Sequence, residues 1–328
     1  MATTRKLPHS SSFLFLAIAL SSCLLISFSR MVDCACPDVA VYWGQHSDSD
    51  EGILTEVCDS KLYKFVILKE LIVSDDASFT LNLANHCGTP ENPCSVLEDA
   101  IKHCQEDLGI KVFISIGLDT ASSEPPSEDV TLTLAKNLID NFFSNNPFGP
   151  LGSVTLDGLD IEEIPDSKHI HWPDLVSLLS NKTIIDTKVP ISISPQCVYP
   201  DTLLEPVLKT GYVDYLWVEF FENNPTCIYT KEKPQVFFNA WKTWTSSYPS
   251  ITVFLGLTAN KDIPGYIDPD TVKNDILPKI STSSNYGGVA IFDRYEDVKN
   301  NYTPRLCDDD DDDGSKRSFI RTVLIARS

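Results

Sequence analysis

Leu156-Asp157-Gly158-Leu159-Asp160-Ile161-Glu162-Glu163-Ile164 is the stretch that decides the fold. Apolar and acidic residues alternate in it, and alternation is typical of a β-strand, whose successive side chains point to opposite faces. One face carries Gly158, Asp160, Glu162 and Ile164. The other face carries Leu159 and Ile161, with Glu163 on their side. We expect Leu159 and Ile161 to pack on helices while the first face points into a closed interior.

The rest of the chain contains further short apolar runs of this kind, and patterns typical of helices lie between them. Eight short apolar runs span residues 39–44, 64–71, 111–117, 156–164, 189–196, 213–221, 251–258 and 286–293. Amphipathic stretches such as 95–108, 131–143, 236–248 and 268–280 separate them. Strands that alternate with helices indicate parallel βαβ units, and eight of them indicate an α/β protein that is a single (β/α)8 TIM barrel. An open doubly wound sheet is the alternative, but it normally has a glycine-rich turn after its first strand, and Trp43-Gly44-Gln45-His46-Ser47 has one glycine.

Charge and the N-terminal residues limit the partners and the location. A formal net charge of −20 argues against nucleic acid and anionic membranes as partners. Residues 1–29 combine a basic start, Arg5-Lys6, with an apolar stretch over 12–29, which is the pattern of a secretory signal peptide. No later apolar run reaches the ~20 residues of a membrane span. We therefore expect an exported, extracellular protein without a membrane anchor after signal removal; the vacuole is the alternative destination.

Cysteines and sequons fit an exported chain. The sequence has ten cysteines, which in an exported protein predict disulfides, and no C-x-x-C pair that would indicate a metal site. Cys36, or Cys34, precedes the first strand and Cys307 follows the last barrel element, so barrel closure predicts a bond between them. Asn181 and Asn301 begin N-glycosylation sequons.

The last 21 residues depart from the barrel pattern. Six consecutive aspartates, Asp308 to Asp313, are followed by a short basic and apolar end. Charge blocks of this kind are usually disordered. We therefore expect one folded domain over 36–306 and an acidic tail over 308–328.

Several motifs together resemble the plant class III chitinase-like members of glycoside hydrolase family 18, and some stretches are most similar to its xylanase-inhibitor branch. The chitinase motifs are Tyr42-Trp43-Gly44-Gln45, Ser115-Ile116-Gly117, the 156–164 stretch, Pro195-Gln196-Cys197 and Asn223-Asn224-Pro225. The inhibitor-like stretches are Cys58-Asp59-Ser60, Gly256-Leu257-Thr258-Ala259 and Asp293-Arg294-Tyr295. The resemblance implies the disulfides Cys58–Cys104, Cys87–Cys94 and Cys197–Cys227.

The resemblance also implies that the catalytic positions are degenerate. In the family a Glu protonates the glycosidic oxygen, an Asp two residues earlier orients the acetamido group of the substrate, and a Tyr hydroxyl assists. Here those positions are Ile164, Glu162 and Phe221, a subsite Trp is Phe292, and a second-strand aromatic is Glu70. An aliphatic side chain cannot donate a proton, and a positioned acid contributes ~10²–10⁴ in rate, so we expect no chitinase activity.

The expected mouth of the barrel is acidic, and its role stays open. Glu163 is the rescue candidate as acid if a bulge turns it inward. Asp160, Glu162, Glu70 and Glu219 are expected to approach the mouth, together with Tyr42, Gln45, Gln196 and Phe292. The first interpretation is that solvent and hydrogen bonds satisfy these carboxylates. A site for a cation or for a basic residue of a partner is the alternative.

The prediction for function is a monomer without cofactor or metal that acts by binding, most specifically as an inhibitor of microbial glycosidases of the xylanase type in plant defence. Three alternatives remain: a lectin-like binder of chitin-type oligosaccharides, a weak class III endochitinase, and a seed storage or cation-holding protein.

Overall fold

A closed ring of parallel strands forms the centre of the molecule. The computed structural model describes residues 36–74, 76–118, 127–162, 171–180, 188–222 and 226–307. Its strands are β1 Val39–Trp43, β2 Phe65–Val73, β3 Phe79–Leu81, β4 Lys111–Leu118, β5 Gly158–Ile161, β6 Ile191–Ile193, β7 Tyr215–Glu219, β8 Thr252–Thr258 and β9 Tyr286–Phe292. All of them pair in parallel in the order β1-β2-β4-β5-β6-β7-β8-β9, except β3, which is antiparallel to the end of β2. Because β1 also pairs with β9, the eight parallel strands close into the predicted (β/α)8 barrel.

Helices follow the strands and cover the barrel. Their bounds are Asp48–Glu51, Leu54–Asp59, Cys94–Leu97, Glu98–Lys102, His103–Asp107, Glu128–Leu138, Ile139–Phe143, Trp172–Leu179, Glu205–Leu208, Pro234–Ser247, Pro269–Thr271, Val272–Ile276, Leu277–Ile280, Arg294–Asn300 and Tyr302–Cys307. Some begin at side-chain caps: Ser127 accepts from the N–H of Val130, and Asp293 accepts from that of Glu296, as N-cap residues do. Within the described ranges, no helix is long and apolar enough to cross a membrane.

Aromatic rings fill the lower half of the barrel interior. Phe65 contacts four other rings edge to face, with centroids 5.3–5.8 Å away: Phe113, Tyr215, Trp217 and Phe254. We call these five rings the floor. Gly158 in β5 leaves room for the floor, since a Cβ there would lie 2.5 Å from the ring of Phe113. The floor seals the bottom, so any site must lie above it, at the carboxyl ends of the strands.

Disulfides fasten the segments that follow the strands. The bonds are Cys58–Cys104, Cys87–Cys94 and Cys197–Cys227, which are the three pairings that the resemblance implies. Cys36 and Cys307 are both disulfide-bonded as well, and their bond to each other stays a prediction. The signal peptide, the Asp308–Asp313 run and Asn181 lie outside the described residues. Asn301 is exposed, so the second sequon is accessible.

Candidate functional site

The carboxyl ends of the strands surround a cavity of about 360 Å³. The residues that line it are Tyr42, Trp43, Gln45, Glu51, Lys69, Glu162, Glu219, Phe221, Glu222, Thr258, Asn260, Ile263, Phe292, Asp293 and Glu296. It lies where barrel proteins place their binding and catalytic groups. Five of the residues predicted for the mouth therefore line one cavity: Tyr42, Gln45, Glu162, Glu219 and Phe292.

Asp160 is the centre of a buried network beneath this cavity. Its carboxylate is fully buried and accepts hydrogen bonds from the Tyr42 hydroxyl (2.9 Å), Ser115 (2.9 Å), Ser192 (2.5 Å) and the Trp217 indole (2.9 Å). Burial raises the pKa of Asp160, while these four donors act in the opposite direction. Since the donors come from β1, β4, β6 and β7, Asp160 ties the barrel together across its interior.

Glu162, which follows the last residue of β5 and lies two residues after Asp160, has a different environment. Its carboxylate forms an ion pair with Lys69, whose Nζ lies 2.7 Å from Oε1 and 2.5 Å from Oε2. Burial alone would lower the pKa of Lys69, but the charge and hydrogen bond of Glu162 outweigh burial and raise it. The ammonium of Lys69 is therefore charged, and it engages both oxygens of the Glu162 carboxylate.

One wall of the cavity is aromatic. The Tyr42 and Phe292 rings stack with centroids 4.4 Å apart, and Phe221 contacts Phe292 at 5.1 Å. The Tyr42 hydroxyl is engaged with Asp160 and Ser194. Burial raises the pKa of the Tyr42 hydroxyl well above its usual value, and the negative charge of Asp160 acts in the same direction. Phe221 has no hydroxyl and that of Tyr42 is committed below, so this wall offers no hydrogen-bond donor. Tyr42 and Phe221 are buried, and the partly exposed ring of Phe292 is what the wall presents to the cavity.

The rest of the lining and its surroundings present amide and carboxylate groups. Gln196 donates to Glu219, which is buried at the end of β7, and Gln45 donates to the carbonyl oxygen of Lys69 at 2.5 Å. Glu222 is exposed and has a φ of 68°, in the left-handed region that favours glycine. Glu222 and Glu219 therefore bring two carboxylates to the same edge of the cavity.

A histidine between two acids supports the rim near β1. His86 is held by Asp48 and by Glu51, whose Oε1 lies 2.8 Å from His86 Nε2. The ring lies 4.1 Å from the Trp43 ring. Burial lowers the pKa of His86, but the two carboxylates outweigh burial and raise it. Glu51 is 1% exposed and also accepts from the N–H groups of Gly44 and His46, so this cluster fixes the loop that follows β1.

Glu70 is one of three predicted mouth residues that are not in the cavity lining; Asp160 and Gln196 are the others. Its side chain lies against Gly117 of β4, where an added Cβ would be 2.1 Å from Glu70 Oε2, and Lys69 lines the cavity instead. Gly117 has the same parity in β4 as the inward-facing Ser115, so the Glu70 side chain also lies on the interior side of the barrel. Phe65 and Ile67 point inward, so the next inward position is residue 69. The pairing of β2 with β4 is also irregular between Leu68 and Leu71.

Two predicted residues cannot be compared with the structure. Glu163 and Ile164 lie outside the described residues, so the direction of Glu163 stays a prediction. Among the described residues, no group of three or more His, Cys, Asp or Glu side chains is arranged to hold a metal ion. What the described part of the site offers chemically is an acidic cavity with one aromatic wall, in which Glu162 pairs with Lys69 and other carboxylates pair with basic neighbours.

Comparisons with known proteins identify plant chitinases as sequence relatives. A scan against protein-family models gives no match. An "Acidic endochitinase" of Arabidopsis thaliana is 35% identical over 308 residues, which cover 93% of this chain and 97% of that protein. An "Acidic endochitinase" of Cicer arietinum is 37% identical over 81% of this chain and 89% of that protein.

Solved structures with this fold include proteins that are named for binding. A tamarind chitinase-like lectin is 41% identical, with a TM-score of 0.76, and the match covers 82% of this chain and 99% of the lectin. A xylanase-α-amylase inhibitor protein is 32% identical, with a TM-score of 0.73, and the match covers 83% of this chain and 98% of the inhibitor. The relatives thus have names of three kinds: enzyme, lectin and inhibitor.

Proposed function

The chain belongs to the plant class III chitinase-like proteins of glycoside hydrolase family 18, and we propose that it acts by binding, without hydrolysis, as an inhibitor of microbial glycosidases. The observation that carries the proposed absence of hydrolysis is the Lys69–Glu162 ion pair. A carboxylate whose two oxygens face an ammonium is held in place, and it has lost the freedom to turn toward an acetamido group.

Two further residues support the absence of hydrolysis. Phe221 lines the cavity and has no hydroxyl, and Ile164 stands at the position of the acid in the sequence. Substrate-assisted cleavage requires the acid, the orienting carboxylate and the hydroxyl together. Since each of the three positions is changed, the loss exceeds what one compensating residue supplies.

Inhibition of another protein requires an accessible surface outside the cavity. Phe148 is 96% exposed; its N–H donates to the carbonyl oxygen of Asp140, and a pair of hydrogen bonds between Gly149 and Gly152 closes the turn that follows. A large apolar ring on a fixed loop is suited to a protein partner, since aromatic side chains are enriched in protein interfaces. The xylanase-α-amylase inhibitor among the structural relatives supports this choice of partner class.

The test is an inhibition assay with a fungal xylanase and an α-amylase. We expect the wild type to lower the rate of at least one of these enzymes and Phe148→Ser to weaken that inhibition. Val96→Ser is the matched control, because Val96 is also an exposed apolar residue, at 54%. Absence of inhibition across a panel of microbial glycosidases would overturn the inhibitor assignment.

Binding of a chitin-type oligosaccharide is the second candidate. The partly exposed ring of Phe292 favours it, because sugar rings pack on aromatic faces, and the similar tamarind lectin supports it. Retention on chitin without release of reducing ends would support this candidate. Phe292→Ala should abolish such retention if the cavity is the binding site.

A further inference from the structure

A second cavity lies among the helices that cover the barrel, and it shares no described lining residue with the cavity at the mouth. Its volume is about 570 Å³. The helices Glu128–Leu138 and Trp172–Leu179 border it, together with Tyr212, which precedes β7. Each helix contributes residues spaced three and four apart, which share one helix face. These residues are Glu128, Thr131, Leu132, Asp174, Ser177 and Leu178. We call this cavity the helix groove.

Ser180, which follows the second of these helices, gives the helix groove an unmet hydrogen-bond requirement. The residue lines the cavity and is 8% exposed, and its Oγ is buried without a hydrogen-bond partner. A serine hydroxyl donates one hydrogen bond and accepts two, and a buried polar group without a partner is unfavourable. The group that satisfies Ser180 therefore has to come from an occupant of the groove.

Two other polar groups of the lining already have partners. The Ser177 hydroxyl donates to the carbonyl oxygen of Pro173 at 2.7 Å. The carboxylate of Asp174 pairs with His171, whose Nδ1 lies 2.8 Å from Asp174 Oδ2. The hydroxyl of Ser180, rather than an acidic group, is thus the observation that points to a ligand.

The same lining contains apolar surface. Leu132 is 53% exposed and Tyr212 is 41% exposed, and Leu178 is partly buried. Apolar side chains that are exposed next to one another mark binding surfaces, whereas single ones are common everywhere. Tyr212 also has a hydroxyl at the end of its ring, so it can pack against a ligand and bond to it at once.

We propose that the helix groove binds a neutral oligosaccharide. One sugar ring packs on Tyr212, and its hydroxyls bond to Ser180 and Glu128. A sugar ring combines an apolar C–H face with hydroxyls that both donate and accept, so it matches both parts of the lining. The proposal goes beyond both candidate functions, since it uses neither the mouth nor Phe148.

The charge of the lining excludes other ligand classes. Among the described residues that line the groove there is no Lys, Arg or His, while Glu128 and Asp174 are acidic. Acidic sugars and phosphates therefore meet no positive charge there and are repelled. An apolar helix of a partner protein would cover Leu132 and Leu178 but would leave the Ser180 hydroxyl without a partner.

The experiment is calorimetric titration of the mature protein with neutral tetrasaccharides of glucose, xylose, mannose and N-acetylglucosamine, and with tetragalacturonic acid as the acidic probe. We expect at least one neutral sugar to bind, and the acidic probe to bind at least ~10-fold more weakly, which corresponds to about 1.4 kcal/mol. Added salt should change the affinity for the neutral sugar less than twofold, because salt screens charges and this ligand has none.

Variants localise the sugar. Tyr212→Ala should weaken it at least ~10-fold, and Tyr199→Ala, the matched control with 40% exposure outside the lining, less than twofold. Ser180→Ala should weaken it ~2–10-fold, as expected for one neutral hydrogen bond. It should not lower the melting temperature, because it removes a hydroxyl without a partner. Ser246→Ala is its control, since the Ser246 hydroxyl already donates to the carbonyl oxygen of Lys242.

Several outcomes overturn the proposal. One is absence of binding by every neutral sugar, and another is binding that Phe292→Ala abolishes, because that sugar then lies at the mouth. Equal losses in Tyr212→Ala and Tyr199→Ala, or a Ser180→Ala variant that melts earlier and binds as tightly as the wild type, assign these side chains to packing alone. A dimer that Leu132→Ser dissociates, without sugar binding, makes the groove a contact between two copies of the chain. The xylanase and α-amylase assay decides the inhibitor function separately from all of these results.

Discussion

The floor and the mouth of the barrel follow opposite designs. The floor rings Phe65, Phe113, Tyr215, Trp217 and Phe254 contact one another at 4.5–6.4 Å, and four of the five are buried. The mouth carries charged side chains in partly exposed pairs such as Lys69–Glu162. The comparison leads us to expect that folding depends on the floor, whereas substitutions at the mouth have little effect on folding.

Asp160 lies at the boundary between the two regions, and removing it should have the largest effect. Asp160→Ala leaves four buried donors without their acceptor. We expect a loss of about 3–5 kcal/mol in the free energy of unfolding, measured by urea denaturation. Asp262→Ala, at an exposed acid, should change it by less than ~0.5 kcal/mol. A loss below ~1 kcal/mol for Asp160→Ala would mean that the network does not hold the barrel together.

Matched truncations of one ring in each region sharpen the comparison. Phe254→Ala in the floor should cost about 3–5 kcal/mol, because Phe254 is 2% exposed. Phe292→Ala at the mouth should cost ~2 kcal/mol less, because Phe292 is only partly buried and faces the cavity. The same urea unfolding experiment measures both variants. Equal costs would contradict the division into floor and mouth.

Residue alternation made much of this architecture predictable. The eight apolar runs predict the eight parallel strands, and the period of two along β5 correctly directs Asp160 and Glu162 inward. The strand β3 was missed because Phe79–Leu81 is only three residues long. Lys69 was missed although the signal was present, since counting inward positions from Phe65 and Ile67 reaches residue 69.

Other contacts of the site had no comparable signal in the sequence. His86 and Asp48 are 38 residues apart, and their contact depends on how two loops fold over β1. The ion pair between Lys69 and Glu162 joins residues 93 positions apart. Long-range side-chain pairing of this kind depends on tertiary packing, so periodicity does not encode it.

His86 gives the mouth a pH response that the floor lacks. The pKa of His86 in the folded protein lies above the usual value of 6.5. The stability that the protonated ring contributes to the folded state is therefore fully present below pH 6.5 and is lost as the pH rises through the folded pKa. The free energy of unfolding of the wild type should therefore fall more steeply over this range than that of His86→Gln. Unfolding titrations at several pH values measure the difference, and parallel curves for the two proteins would refute it.

Glu162→Gln should have the smallest effect on stability. The Lys69 and Glu162 side chains are 28% and 16% exposed, and partly exposed ion pairs contribute ~0.2–1 kcal/mol. We expect a loss of no more than ~1 kcal/mol by urea denaturation. A loss as large as that for Asp160→Ala would show that the mouth is as structural as the floor.

The most direct test of non-hydrolytic action is the release of reducing ends from chitin oligosaccharides by the mature protein. We predict no release above a heat-inactivated control, and little recovery in Ile164→Glu alone, because Phe221 and the Lys69–Glu162 pair remain. Robust release by the wild type that Glu163→Gln abolishes would contradict the account and make Glu163 the acid of a working chitinase.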